Sequence, residues 1–162
     1  VIIVGVDPGK HCGVAILKGR SLAVAATLRG DKLNQIVAIV QQAKKLGATC
    51  LVIELQHGMR PKSGKVNYKS LGTLMKRRHS WEVIAELYGL RTVGVYPATW
   101  QTQLKAAARL DENGDKRTTK QRSVEVARFM FGQDSIRDAE QADAALIAKW
   151  YVDSPEGRSL LL

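Results

Sequence analysis

The spacing of apolar and polar positions along the 162 residues changes period several times, and each change marks an element. "VIIVGV" is a near-continuous apolar run that ends at the turn residues Pro8 and Gly9, which predicts a buried strand over 1–6. Gly13 to Leu17 is a second such run. The tight Gly19-Arg20 turn leads into a third, Ser21 to Leu28, so the first three strands are expected as an antiparallel meander. The period then lengthens. Leu33, Ile36, Val37, Val40, Ala43 and Leu46 recur at helical spacing, with Asp31 placed to cap the start and Gly47 to stop the end. "TCLVIE" reads as a short β-branched strand. Leu71, Leu74, Met75, Trp81, Ile84, Ala85 and Tyr88 predict a helix stopped at Gly89, and "TVGVY" a further strand. Pro97 opens a short helix, "ATWQTQL", and "KQRSVEVARFMFG" and "DAEQADAALIAKWYV" supply two more. A meander followed by alternating helices and strands predicts one α/β domain over 1–162, with a mixed five-stranded sheet and helices on both faces.

Charge narrows the class. Lys and Arg number 25 against 15 Asp and Glu, a net of +10, which points to a polyanionic partner and most simply to nucleic acid. No apolar run approaches membrane-spanning length and no basic amphipathic helix stands out, so no membrane association is expected. Cys12 and Cys50 lie in strand-like stretches and form no CxxC pair, which favours a reduced cytoplasm over a disulfide scaffold and makes no zinc site. No basic region precedes the apolar N-terminal run, so no secretory signal is expected and the cytoplasm is the predicted compartment.

Against this basic background, four acids stand in unusual places. Asp7 ends the first strand and Glu54 ends the fourth, each a lone carboxylate after an apolar run. Crossover rules allow those strands to be neighbours, which would set the two acids side by side. Glu140 and Asp143 are three apart on one face of the last helix, and Asp143 is flanked by alanines small enough to let that helix lie close to the sheet. Asp138 is better explained as the helix N-cap, three residues before Gln141. Clustered carboxylates are unfavourable unless a cation sits among them. Oxygen-only ligands suit Mg²⁺, with Mn²⁺ as a substitute, and two such ions per site support phosphodiester hydrolysis. The expected catalytic and metal-binding residues are therefore Asp7, Glu54, Glu140 and Asp143.

"GVDPGKHCGVAI", "LVIELQ", "YPATWQ" and "EQADAALIAKW", in this order, resemble the successive motifs of RuvC-like Holliday junction resolvases of the ribonuclease H-like superfamily. The resemblance covers residues 2 to about 152. It implies a ribonuclease H-like fold and a Mg²⁺-dependent endonuclease that resolves four-way DNA junctions as a homodimer. It also implies that Asp7, Glu54 and Asp143 fall on the family's metal-binding acids. Glu140 falls on a fourth position, where the family usually has Asp or His. The alternatives are a related nuclease acting on RNA and a non-catalytic nucleic-acid-binding module. An acid at every metal position argues against the second of these.

The basic residues fall in two clusters. From Leu55 to Trp81 there is no acid, and Arg60, Lys62, Lys65, Lys69, Lys76, Arg77 and Arg78 are expected to contact DNA phosphates beside Glu54. Lys116, Arg117, Lys120 and Arg122 form the second cluster, around a helix start that Thr118 or Thr119 would cap, and are expected to contact the DNA backbone there. The resemblance places an aromatic wedge shortly after the second acid, where His57 and Tyr68 are the candidates for stacking on an unpaired base. "DENGD" begins like a calcium loop, but Lys116 and Arg122 occupy positions that need Gly and Glu. "GKHCG" lacks the spacing of a phosphate loop. His11 and His79 are isolated and are expected at the surface or in packing roles.

Overall fold

The computed structural model of the chain describes residues 1–30, 32–55, 68–107 and 113–159, excepting the side chains at 68–70 and 106. The elements in order are β1 (Ile2–Asp7), β2 (His11–Lys18), β3 (Ser21–Arg29), α1 (Leu33–Lys45), β4 (Cys50–Glu54), α2 (Tyr68–Leu87) and β5 (Arg91–Val95). Then come α3 (Pro97–Trp100), which continues as a 3₁₀ helix over Gln101–Ala106, α4 (Thr119–Phe131), α5 (Ala139–Asp153) and α6 (Pro155–Ser159). The sheet order is β3-β2-β1-β4-β5. β1, β2 and β3 pair antiparallel, while β4 runs parallel to β1 and β5 parallel to β4. The mixed five-stranded sheet read from the sequence is the one observed. Asp31, expected to cap α1, lies outside the described residues.

Strand parity decides which helices each strand faces. Successive side chains alternate between faces. In β1, Ile3 packs into a core with α5, α4 and Trp100, whereas Val4 and Val6 pack against α1 and α2. In β4, Cys50 and Val52 join the α5 side, and Leu51 and Ile53 the α1–α2 side. Helices therefore cover both faces. By the same alternation Asp7 follows Ile3 and Gly5, and Glu54 follows Cys50 and Val52. Both acids fall on the face that α5 covers.

α5 sits almost on the sheet backbone. A Cβ added at Gly5 would come 2.1 Å from the Ala144 carbonyl oxygen, and one at Gly13 would come 1.8 Å from that of Glu140. Those distances are sterically impossible, so glycine in β1 and β2 is a condition of the approach. Ala142, Ala144, Ala145 and Ala148 are fully buried on the helix side. The alanine-rich contact expected from the sequence thus has a glycine half on the strands.

Candidate active site

The last β1–β4 register pair is Val6 with Ile53. One residue beyond, at the C-terminal ends of these parallel strands, stand Asp7 and Glu54. Asp7 Oδ1 accepts the Gly9 backbone N–H at 3.2 Å, so the acid also shapes the Pro8-Gly9 turn. Glu54 Oε2 accepts the Trp100 indole N–H at 2.7 Å.

The other two acids come from α5 and are met by α4. Lys120 and Ser123 are three apart on α4, as Glu140 and Asp143 are on α5, and the two faces oppose each other. Lys120 Nζ bonds Glu140 Oε1 at 2.6 Å. Ser123, wholly buried, lies beside Asp143 and holds its pKa down against the effect of burial. No hydrogen bond of ordinary geometry joins them: Ser123 Oγ and Asp143 Oδ1 are both buried with no hydrogen-bond partner among the described residues.

The acids feel one another. Burial, followed by the charges of Glu54 and Asp143, pushes Asp7 up to about 8. Glu54 is raised to about 7, chiefly by burial, with the Trp100 bond opposing and Asp143 adding to the rise. Asp143 is raised to about 6 by burial, with Ser123 and Lys120 opposing. Lys120 is raised, first by its bond to Glu140 and in smaller part by Asp143 and Asp7. Three elements therefore bring carboxyl groups into one patch where each makes it harder for the others to ionise.

A divalent cation fits this patch in chemistry and electrostatics. All the donors are carboxylate oxygens, Asp143 Oδ1 is a buried acceptor in need of a partner, and a cation would relieve the mutual repulsion. The cage is not drawn tight. Among the described residues no group of three or more His, Cys, Asp or Glu stands in position to hold a metal ion.

Asp138 is the N-cap of α5: its Oδ1 accepts the Gln141 N–H at 2.9 Å, as its spacing to Gln141 predicts. Its Oδ2 accepts from Thr27 Oγ1 at 2.6 Å, tying the start of α5 to β3, a contact no local pattern announces. Trp100 is 1% exposed, yet its N–H is spent on Glu54. The signal was available, because a buried indole N–H needs an acceptor. Trp81 is equally buried and Trp150 partly so. His11 and His79 are at the surface.

Of the expected DNA contacts, His57, Arg60, Lys62 and Lys65 lie outside the described residues, as do the side chains of Tyr68 and Lys69. Arg77 Nη1 donates to the Gly9 carbonyl at 3.3 Å, which brings this cation to the turn beside Asp7. Arg78 pairs with Glu82 at 3.0 Å and Arg117 with Glu125. Lys116 and Lys76 are exposed. Arg117, Lys120 and Arg128 line an open groove along α4. Thr118 caps α4 with a reciprocal Gln121 bond, so the cap and the basic cluster coexist. Among the described residues no helix is long and apolar enough to cross a membrane.

No protein-family model matches the chain, and no curated protein matches it significantly. Solved structures do. T. thermophilus RuvC in complex with a Holliday junction substrate superposes with a TM-score of 0.70 at 16% identity, covering 94% of this chain and 92% of that one. A second Thermus thermophilus RuvC structure gives 0.66 at 18% identity, covering 94% and 93%. At such identities the likeness is one of architecture, and the fold of this chain is ribonuclease H-like.

Proposed function

We propose that the protein is a divalent-cation-dependent endonuclease that cuts four-way DNA junctions as a homodimer. The observation that carries this reading is the convergence of Asp7, Glu54, Asp143 and Glu140, from three elements, at the C-terminal ends of the two central parallel strands of a strongly basic chain. Asp7, Glu54 and Asp143 would hold Mg²⁺ or Mn²⁺, with Glu140 as the fourth ligand. Bound ions would supply Lewis acidity and charge neutralisation for phosphodiester hydrolysis. The chain's own part is to keep the acids rigid and to bring the phosphate to them. β1 and β4 fix Asp7 and Glu54, and α5 fixes Asp143 against the sheet. Arg77, at the turn beside Asp7, and Lys120, beside Glu140, are placed to meet the backbone charge of the substrate. The structural likeness to a junction-bound RuvC supports the four-way junction as substrate.

One observation favours a second reading, a binding module without catalysis: Lys120 already occupies Glu140, and among the described residues no three acids stand in position to hold one ion. The test is to incubate the protein with labelled four-way junction, duplex DNA and RNA–DNA hybrid, each with Mg²⁺, Mn²⁺ or EDTA. Paired symmetric nicks in the junction with metal, none with EDTA and a dimer by light scattering are expected. Preferential cutting of the hybrid would move the substrate to RNA. Junction binding without nicks in any metal would establish the binding module.

A further inference from the structure

The "YPATWQ" stretch enters the site through two side chains that bond to different elements. Trp100 Nε1 holds Glu54 Oε2 at 2.7 Å from a ring sealed in the core. Three residues on, Gln103 Nε2 donates to the Leu146 carbonyl of α5 at 2.8 Å and to the Trp100 carbonyl at 3.1 Å. Leu146 is one turn beyond Asp143. In the 3₁₀ segment that begins at Gln101, residues three apart stack along one side. One short segment thus grips both the strand end that carries Glu54 and the helix that carries Asp143.

We propose that Pro97–Ala106 is a positioning clip that sets the span between Glu54 and Asp143 for a divalent cation, with Trp100 as the positioning residue for Glu54. This rests on the metal-dependent reading above. The choice of donor is the physical argument. The indole N–H is a neutral donor, so this bond orients Glu54 without itself bringing a positive charge to the carboxylate. Trp100 packs in the same core as Leu104, Val95 and the α5 alanines, so its ring has no room to swing. Glu140 is the contrast. Its partner, Lys120, is a cation on a flexible, largely exposed side chain, and the pair can open when a cation or phosphate arrives. Glu54 is preset and Glu140 is adaptable. Outer partners that orient metal ligands typically change metal affinity by about 10–100-fold.

The test uses Trp100→Phe, which keeps an aromatic ring and removes the donor, alongside Glu54→Gln. Mg²⁺ affinity is read by calorimetry on protein shown to be folded by its melting curve, and junction cleavage is followed as a function of Mg²⁺ concentration. Trp100→Phe is expected to weaken Mg²⁺ binding about tenfold. The half-saturating Mg²⁺ concentration should rise by the same factor, with a smaller loss of maximal rate. A second measurement needs no folded Trp100 variant. In ¹⁵N-labelled wild type, one of the three indole N–H signals should shift on Mg²⁺ addition and also shift in Glu54→Gln, while those of Trp81 and Trp150 stay in place. A folded Trp100→Phe with wild-type Mg²⁺ affinity, or indole signals indifferent to Glu54→Gln, overturns the clip. Wild-type Mg²⁺ affinity in Glu54→Gln instead overturns the metal reading beneath it.

Discussion

Asp7→Asn should make the metal-free protein more stable at neutral pH. Asn keeps the Oδ1 acceptor for the Gly9 N–H and removes only the charge. The carboxyl of Asp7 is pushed up to about 8 from an ordinary value of 3.8. The folded state therefore binds its proton more tightly than the unfolded chain does, and stability falls as pH rises between the two values. At about 1.4 kcal/mol per pH unit, the three-unit rise from pH 4 to pH 7 costs the wild type about 4 kcal/mol. The Asn variant escapes this cost, which corresponds to roughly 8–16 °C in melting temperature for a chain of this size. The assay is urea unfolding in EDTA from pH 4 to pH 8, followed by the fluorescence of the buried Trp81 and Trp100. The two proteins should match near pH 4, diverge as pH rises, and reach a constant gap above pH 8. Mg²⁺ should narrow the gap, because ligand bound to the folded wild type stabilises it by mass action. Cleavage by the variant should be absent while junction binding survives. An Asn variant less stable than wild type at pH 7 in EDTA, or a gap that does not vary with pH, would refute the claim that the fold resists ionisation of Asp7.

Three further substitutions test the frame around it. Glu140→Gln should leave the melting temperature within a few degrees of wild type, because the exposed Lys120 pair is worth no more than about 1 kcal/mol. Its cleavage rate with Mg²⁺ should fall at least about tenfold. Asp138→Ala should do the reverse, losing the α5 cap and the Thr27 bond for about 2 kcal/mol while cleaving normally at permissive temperature. Gly13→Ala drives a methyl into the Glu140 carbonyl. It should destabilise the fold by roughly 1–3 kcal/mol and abolish cleavage in whatever fraction folds, as read by urea melts and junction nicking.

What could be read ahead of the structure was what depends on local period. Asp7 and Glu54 announced themselves as acids ending apolar strands, and the Asp138 cap followed from its spacing to Gln141. Where the pattern erred, the cause is that exposure depends on neighbours far along the chain. Met75 fits the apolar seam of α2 by spacing, yet it is 51% exposed, because α2 leans on the sheet chiefly through Trp81, Ile84 and Ala85 nearer its C-terminal end. α6 is too short to show a period. Its start at Pro155 is set by the Ser154 hydroxyl accepting the Gly157 N–H.

The site's supports were the least visible part, and for one reason: each joins segments distant in sequence. Gly13 looks like one more strand glycine until α5 is laid across it, and Ser123 like an ordinary helix serine until Asp143 faces it. The i, i+3 spacing of Lys120 with Ser123 repeats that of Glu140 with Asp143, but the sequence holds many such pairs and does not say which two helices will meet. Parity was the stronger clue. Once β1 and β4 are known to run parallel in the observed register, the alternation of Ile3, Gly5 and Asp7 against Cys50, Val52 and Glu54 places both acids under α5. The acids of the candidate site were legible because acids at strand ends are costly and therefore conspicuous. The residues that set their positions are glycines, alanines and a tryptophan, and these look like packing wherever they occur.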